Sequence, residues 1–135
     1  HYLRRAHSVF DNIGWLREAW TNPVFISTAD ADAAGVSDGD TVLVSSPYGQ
    51  CVRNACVYAG LMPGVVALPH GAWVAVDEET GIDVAGADNC LTGPAPNGQG
   101  VSGYNSALCK IEKYTGEALA PDAEQPLRIV CKDGE

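Results

Sequence analysis

Short apolar runs closed off by glycine, proline and aspartate constrain this chain more than any other feature. Val24-Phe25-Ile26-Ser27 and residues 41–46, 50–59, 65–68 and 106–114 each read as a strand bounded by turn residues. The 15 glycines and 8 prolines fall largely between these runs, as in Val36-Ser37-Asp38-Gly39-Asp40, Pro47-Tyr48-Gly49 and Pro63-Gly64. Helix has little room. Asp11 or Asn12 could cap a short helix over residues 13–20, with Ile13, Leu16 and Trp20 at helical spacing and Asn22-Pro23 ending it. Thr28 is expected to cap a second one over residues 29–34, closed by Gly35. The expectation is a mainly β domain with short added helices.

Within that pattern Ala34-Gly35-Val36-x-x-Gly39 recurs as Ala59-Gly60-Leu61-x-x-Gly64, each copy leading into an apolar run. Two strand–turn–strand copies suggest a barrel with pseudo-twofold symmetry. Residues 50–59 alternate only loosely, as barrel strands covered on both faces do. Residues 77–81 form an acidic turn, residues 93–103 a long Gly/Pro/Asn loop of the kind that is usually functional or mobile, and residues 127–131 a further short strand.

At 135 residues the chain is long enough for one core, and its net charge of −9 narrows the partners. Residues 1–20 carry Arg4, Arg5 and Arg17 against Asp11 and Glu18, and the acidic excess lies in the remainder, with 5 basic against 15 acidic side chains. Such a surface argues against nucleic acid, whose binding rests on neutralised phosphates. It leaves room for one small anionic ligand held by backbone N–H groups and a local arginine. No run approaches the ~18 apolar residues of a membrane span. The sequence starts at His1 with neither an initiator Met nor an apolar leader, and reads as a piece of something longer. The five cysteines contain no C-x-x-C pair, and Cys51, Cys56 and Cys109 sit in apolar strand patterns as small buried hydrophobes.

Reaction chemistry is poorly represented. Three histidines lack metal-ligand spacing, and neither a nucleophile elbow nor a P-loop is present, so no catalytic and no metal-binding residue is assigned. Asp38 and Asp40 flank Gly39 as a turn rather than an acid–base pair. Residues 61–73 break at Pro69 and deliver His70, Gly71 and Trp73 into a loop, a common way to build the lip of a ligand site. The alternative is structural, with Trp73 in the core and His70 satisfied within a turn. Other small polar groups on loops are His7-Ser8, Asp30, Asn89 with Thr92, and Tyr104-Asn105-Ser106, a set suited to reading the edge of a heterocycle.

The order of these motifs carries a resemblance. His7-Ser8-x-Phe10-Asp11-Asn12, Phe25-Ile26-x-x-x-Asp30-Ala31, Gly35-Val36-x-x-Gly39-Asp40-x-Val42, Met62-Pro63-Gly64-Val65-Val66, His70-Gly71-Ala72-Trp73, Asn89-x-Leu91-Thr92 and Tyr104-Asn105-Ser106 follow one another over residues 4–114. The pattern resembles the C-terminal molybdopterin-dinucleotide-binding domain of the dimethyl sulfoxide reductase family, nearest to the anaerobic dimethyl sulfoxide reductase catalytic subunits. That resemblance implies a six-stranded double-psi β-barrel with short added helices, over residues 24–114, preceded by a lead-in at 1–23 and followed by a tail at 115–135. It implies molybdopterin guanine dinucleotide with molybdenum or tungsten, bound jointly with domains outside this chain, where any iron–sulfur cluster would also lie. By motif position His7, Ser8, His70, Gly71, Asn89, Thr92, Asn105 and Ser106 would lie near pterin and phosphate, and Asp30 would read the guanine. Where the family often has Asn-Pro ahead of that Asp, this chain has Ser27-Thr28, with Thr28 as an N-cap shaping the loop.

The implied whole is an S-oxide or N-oxide reductase in which the cofactor carries the redox chemistry and this domain supplies grip and burial. The isolated domain is not expected to turn over. Its implied partners are the rest of the catalytic subunit, an iron–sulfur electron-transfer subunit and a membrane anchor, without nucleic acid or direct membrane contact. Its implied place is the outer side of the cell membrane, reached by export in the folded state. The alternatives are a stand-alone double-psi barrel acting as the small subunit of a split molybdenum or tungsten enzyme, or as a protein-interaction adaptor.

Overall fold

The computed structural model describes residues 13, 15, 21–101 and 103–116. The helix expected over residues 13–20, the strand expected at 127–131, and His7 and Ser8 lie outside the described residues or rest on too few of them. Among the described residues the architecture is mainly β. Strands β1 (Val24–Ile26), β2 (Thr41–Ser45), β3 (Gln50–Val57) and β4 (Lys110–Lys113) form one open sheet in the order β1-β3-β2-β4. Strand β1 runs parallel to β3, and β2 is antiparallel to both β3 and β4.

The β2–β3 hairpin forms at the expected turn residues. Ser46 N–H donates to Gly49 O at 2.9 Å, and Ser46 Oγ accepts from the N–H groups of Tyr48 and Gly49. Between β1 and β2, helix α1 (Thr28–Ala34) makes the crossover, and its cap is Ser27 rather than the expected Thr28. Ser27 Oγ accepts from Asp30 N–H at 3.1 Å and donates to Asp30 Oδ2 at 2.7 Å, a reciprocal cap closing the first turn. Gly35, at φ 64°, ends the helix as expected. Val36 N–H reaches Ala31 O at 2.9 Å, and buried Val36 packs with Ala31 in the same core cluster.

The two echoed segments share a conformation at their final glycine, φ 83° at Gly39 and φ 79° at Gly64. Their sequels differ. Gly39 leads into β2, whereas residues 65–68 contribute an isolated bridge, Phe25 to Ala67, closed by two backbone bonds of 2.9 and 3.1 Å. Pro63 and Pro69 flank that segment and lack N–H donors, which limits it to a bridge. Strand β4 also starts later than residue 106, because residues 104–106 wind into a 3-10 turn in which Ser106 N–H and Oγ both bond to Gly103 O. Four strands, not six, are therefore present among the described residues.

One face of the sheet carries the core: Val24 and Ile26 from β1, Val42 and Val44 from β2, and Cys51 and Ala55 from β3, joined by Ala31, Val36 and Leu91. Of the cysteines expected to be buried, Cys51 is fully so and Cys56 partly so, while Cys109 is exposed because it precedes β4 on the chain's outer edge. The position between Cys51 and Ala55 on this apolar face is Arg53, only 1% exposed and directly opposite Val42. A central strand thus carries a buried charge on its core face.

Candidate functional site

Arg53 gathers segments that are far apart in sequence. Its Nε donates to Gly86 O at 2.8 Å, and its Nη1 donates to Pro23 O at 3.2 Å and Pro69 O at 2.9 Å. Its Nη2 lies 4.0 Å from Asp88 Oδ1, and neither of those two buried atoms has a hydrogen-bond partner among the described residues. Burial pulls the guanidinium down from its ordinary value, opposed by the field of nearby acidic groups including Asp88 and Asp83. One side chain thus fixes the residue before His70, the lead-in to β1, and the backbone two residues before Asp88.

Gly86 is what allows this approach. A Cβ built there would stand 2.9 Å from Val52 O and 3.0 Å from Arg53 Cγ, and its φ of 79° is itself disfavoured for other residues. The loop carrying Gly86 is held by a second buried charge, Asp83, also 1% exposed. Asp83 Oδ1 accepts from the N–H groups of Ala75 at 2.7 Å and Ala85 at 3.3 Å, and Oδ2 accepts from Ala87 N–H at 2.5 Å. A carboxylate saturated by backbone donors is a stable way to organise a loop without secondary structure.

On this platform stands His70. Its Nδ1 is 2.8 Å from Asp88 Oδ2, with the imidazole 53% exposed and the carboxylate side chain 22% exposed. Gly71, buried at φ 125°, turns the chain immediately after it. Asp88 opens a 3-10 turn, Asp88–Leu91, whose buried Leu91 anchors it in the core and whose Asn89 faces outward. Thr92 N–H and Oγ1 both return to Asn89 O, at 3.4 and 3.2 Å, so that hydroxyl closes the turn. The His70–Asp88 contact thus joins His70 and Gly71 to the turn that carries Asn89 and leads to Thr92. Asn105 and Ser106 sit exposed on the separate 3-10 turn, Tyr104–Ser106.

Asp30 belongs to a second group. Its Oδ2 accepts from Ser27 Oγ and from Gly64 N–H at 2.8 Å, and among the described residues no hydrogen bond reaches Oδ1. The Ser27 hydroxyl, and then the Gly64 N–H, hold its carboxyl below the usual value, so it is an anion at neutral pH. It borders an open groove of about 590 Å³ between α1 and β4, shared with Ala33, Ala34, Ile111, Lys110, Lys113 and a second carboxylate, Glu112. Lys113 Nζ is 2.9 Å from Asp40 Oδ2 and Lys110 Nζ is 2.6 Å from Glu112 Oε1, each leaving further ammonium donors.

The groove is open to solvent and is lined mainly by charged side chains. The carboxylate oxygen left uncommitted on Asp30 can accept from a ligand N–H such as those of guanine, and the ammonium groups, each already paired with a carboxylate, keep donors that can reach phosphate. The residues present therefore fit a nucleotide-bearing cofactor. They do not form a metal centre: among the described residues no three His, Cys, Asp or Glu side chains converge to hold an ion.

Comparison with known proteins shows the family of this chain. Residues 1–107 match the family model described as the Molydopterin dinucleotide binding domain. The chain is 37% identical over 116 residues to a probable dimethyl sulfoxide reductase chain of Escherichia coli (strain K12), covering 84% of this chain and 14% of that protein. It is 35% identical over 122 residues to trimethylamine-N-oxide reductase 1 of the same organism, covering 83% of this chain and 14% of the relative. Biotin sulfoxide reductase of Cereibacter sphaeroides is 36% identical over 98 residues, 70% of this chain and 13% of its own. The chain thus spans about one seventh of the length of these relatives. In fold it is similar to part of acetylene hydratase from Pelobacter acetylenicus, at a TM-score of 0.67 and 20% identity over 82% of this chain and 17% of that one. With the match running through β1, α1, the hairpin, His70 and Asn89, this chain belongs to the molybdopterin dinucleotide binding domain family of the dimethyl sulfoxide reductase type.

Proposed function

We propose that this domain grips molybdopterin guanine dinucleotide within a larger molybdenum or tungsten oxidoreductase that reduces an S-oxide or N-oxide. The observation that carries the reading is Asp30: an anion fixed by Ser27 and Gly64, with one oxygen unspent at the edge of a groove. In this reading Asp30 accepts from the guanine N–H groups and Lys110 and Lys113 face phosphate. His70, Asn89 and the backbone at Gly71 meet the pterin end, with His7, Ser8, Thr92, Asn105 and Ser106 completing the enclosure. When bound, the metal of this cofactor supplies the redox chemistry. The residues of this chain bind, orient and shield it from water.

The same reading extends the four described strands to a six-stranded double-psi barrel. It places the domain beside the rest of a catalytic subunit, with an iron–sulfur electron-transfer subunit and a membrane anchor as further partners, on the outer side of the cell membrane. The names of the relatives, reductases of dimethyl sulfoxide, trimethylamine N-oxide and biotin sulfoxide, support the S-oxide or N-oxide class.

The test is direct. The full-length protein, purified and acid-hydrolysed, should release GMP in proportion to its molybdenum or tungsten, and Asp30→Ala should lower both together. Release of AMP or CMP, or metal content indifferent to Asp30, would overturn the assignment of the guanine grip.

A further inference from the structure

We infer that Arg53 and Asp88 act as a buried positioning pair that holds His70 in its Nδ1–H tautomer and so offers Nε2 to the ligand as a hydrogen-bond acceptor. The identity of that ligand rests on the function proposed above; the tautomer does not.

The geometry begins with Asp88. A carboxylate is an acceptor only, and its Oδ2 stands 2.8 Å from His70 Nδ1, so Nδ1 must carry the proton when the ring is neutral. This is the less common form, since a free imidazole side chain favours the proton on Nε2. Asp88 is turned to serve this role because Arg53 Nη2 faces its other oxygen across 4.0 Å, in a spot where both atoms are buried. The same guanidinium holds Pro69 O, the carbonyl immediately before His70, and Gly86 O, two residues before Asp88. Both halves of the His–Asp contact are therefore placed by one side chain.

An apolar residue would suit position 53 in a sheet face that otherwise holds Val42, Val44, Cys51 and Ala55. Replacing both charges of such a pair by well-packed apolar residues is often near neutral in stability, so stability alone does not call for a charge here. What the guanidinium contributes is orientation, transmitted to a half-exposed imidazole at the rim. With Nδ1 committed, the outward Nε2 accepts from a ligand N–H, and the reduced pterin ring system carries several such donors. Arg53 and Asp88 touch no ligand in this arrangement; they are positioning residues that act through His70.

Long-range ¹H–¹⁵N correlation spectra of the ¹⁵N-histidine-labelled 135-residue chain at pH 8 read the tautomer directly. The expected spectrum gives His70 a protonated Nδ1 and an unprotonated Nε2. In Asp88→Asn the amide oxygen is drawn toward Arg53 and its NH₂ faces Nδ1, which must then accept, so the tautomer inverts to Nε2–H. A purely structural role for the pair would leave the tautomer unmoved. An Nε2–H form or an even mixture in the wild type, or a spectrum unchanged by Asp88→Asn, would overturn the inference. Should Asp88→Asn fail to fold, the wild-type spectrum alone decides. No ligand enters this measurement, so its failure is distinct from failure of the GMP-release test.

Discussion

Replacing Arg53 with methionine should cost about 3–5 kcal/mol of stability, the range for removing one partner of a buried ion pair. The contacts account for that range. Loss of Nη1 leaves Pro23 O and Pro69 O without the donor they now share, at roughly 1–3 kcal/mol for each buried carbonyl left unpaired. Gly86 O suffers less, because Asn22 Nδ2 also donates to it at 3.2 Å. Asp88 Oδ1 is left buried without the opposing charge. Offsetting these losses, methionine spares the desolvation of the guanidinium and fills much of its volume beside Val42. For 135 residues the total stability is of order 7–20 kcal/mol, so the change is a large fraction of it. Urea unfolding followed by tryptophan fluorescence measures the difference as a shifted midpoint at constant slope. A loss under about 1 kcal/mol, or a gain, would show that the three segments hold together without Arg53 and would refute its role in fixing them.

The same contacts set further expectations. Gly71→Ala forces a side chain into φ 125° next to His70 and should destabilise by about 1–3 kcal/mol, read in the same unfolding assay. Burial pushes the Cys51 thiol up to about 12 from 9.0, so below pH 9 it should be the slowest of Cys51, Cys56, Cys90 and Cys109 to react with iodoacetamide, measured by peptide mass spectrometry. Because the folded state keeps that proton longer than the unfolded state, stability should fall as pH rises from about 9 toward 12; a flat profile there contradicts the burial. Asp30, Asp40 and Asp77 are all held below 3.8 by hydrogen bonds from Ser27, Ser37 and Thr80 respectively, so their contribution is present above pH 4 and should fade as pH drops through the lowered values, with Ser27→Ala reducing the Asp30 share.

Local chemistry is readable in the sequence wherever the partners lie close together. The Pro47-Tyr48-Gly49 turn and the Gly35 helix stop depend on neighbours within a few residues, and each forms where the pattern puts it. The helix cap is an exception: Thr28 adjoins the Ala-rich run, yet the spacing of Ser27 to Asp30 is the capping-box signal and prevails. The difference matters, since the Ser27 hydroxyl bonds to the carboxylate of Asp30 and so fixes the position of the residue assigned to guanine.

The platform beneath His70 is not readable in the same way. Arg53 bonds to carbonyls 16, 30 and 33 residues away, and no local pattern announces such partners. One clue does stand in the sequence: an arginine in the middle of an apolar run, between Val52 and Ala55, must find acceptors if that run is buried. Asp83 and Asp88, in Gly-Ile-Asp-Val-Ala-Gly-Ala-Asp, look like ordinary loop composition, yet Asp83 holds the loop together and Asp88 joins it to His70. The resemblance names His70 and Asn89 by motif order, and the structure brings them onto one platform through Asp88. Motif order serves serine and threonine less well. Thr92 and Ser106 spend their hydroxyls closing their own 3-10 turns, a use that short-range sequence spacing can suggest.

The central claim is that Asp30 and its groove select guanine, and a titration of the ¹⁵N-labelled chain with GDP and with ADP tests it most directly. GDP should shift the amide resonances of Asp30 and of Gly64, whose N–H bonds to the same carboxylate, while ADP at equal concentration leaves them in place and Asp30→Asn weakens the GDP response. Equal shifts from both nucleotides, or a GDP response untouched by Asp30→Asn, would contradict the account.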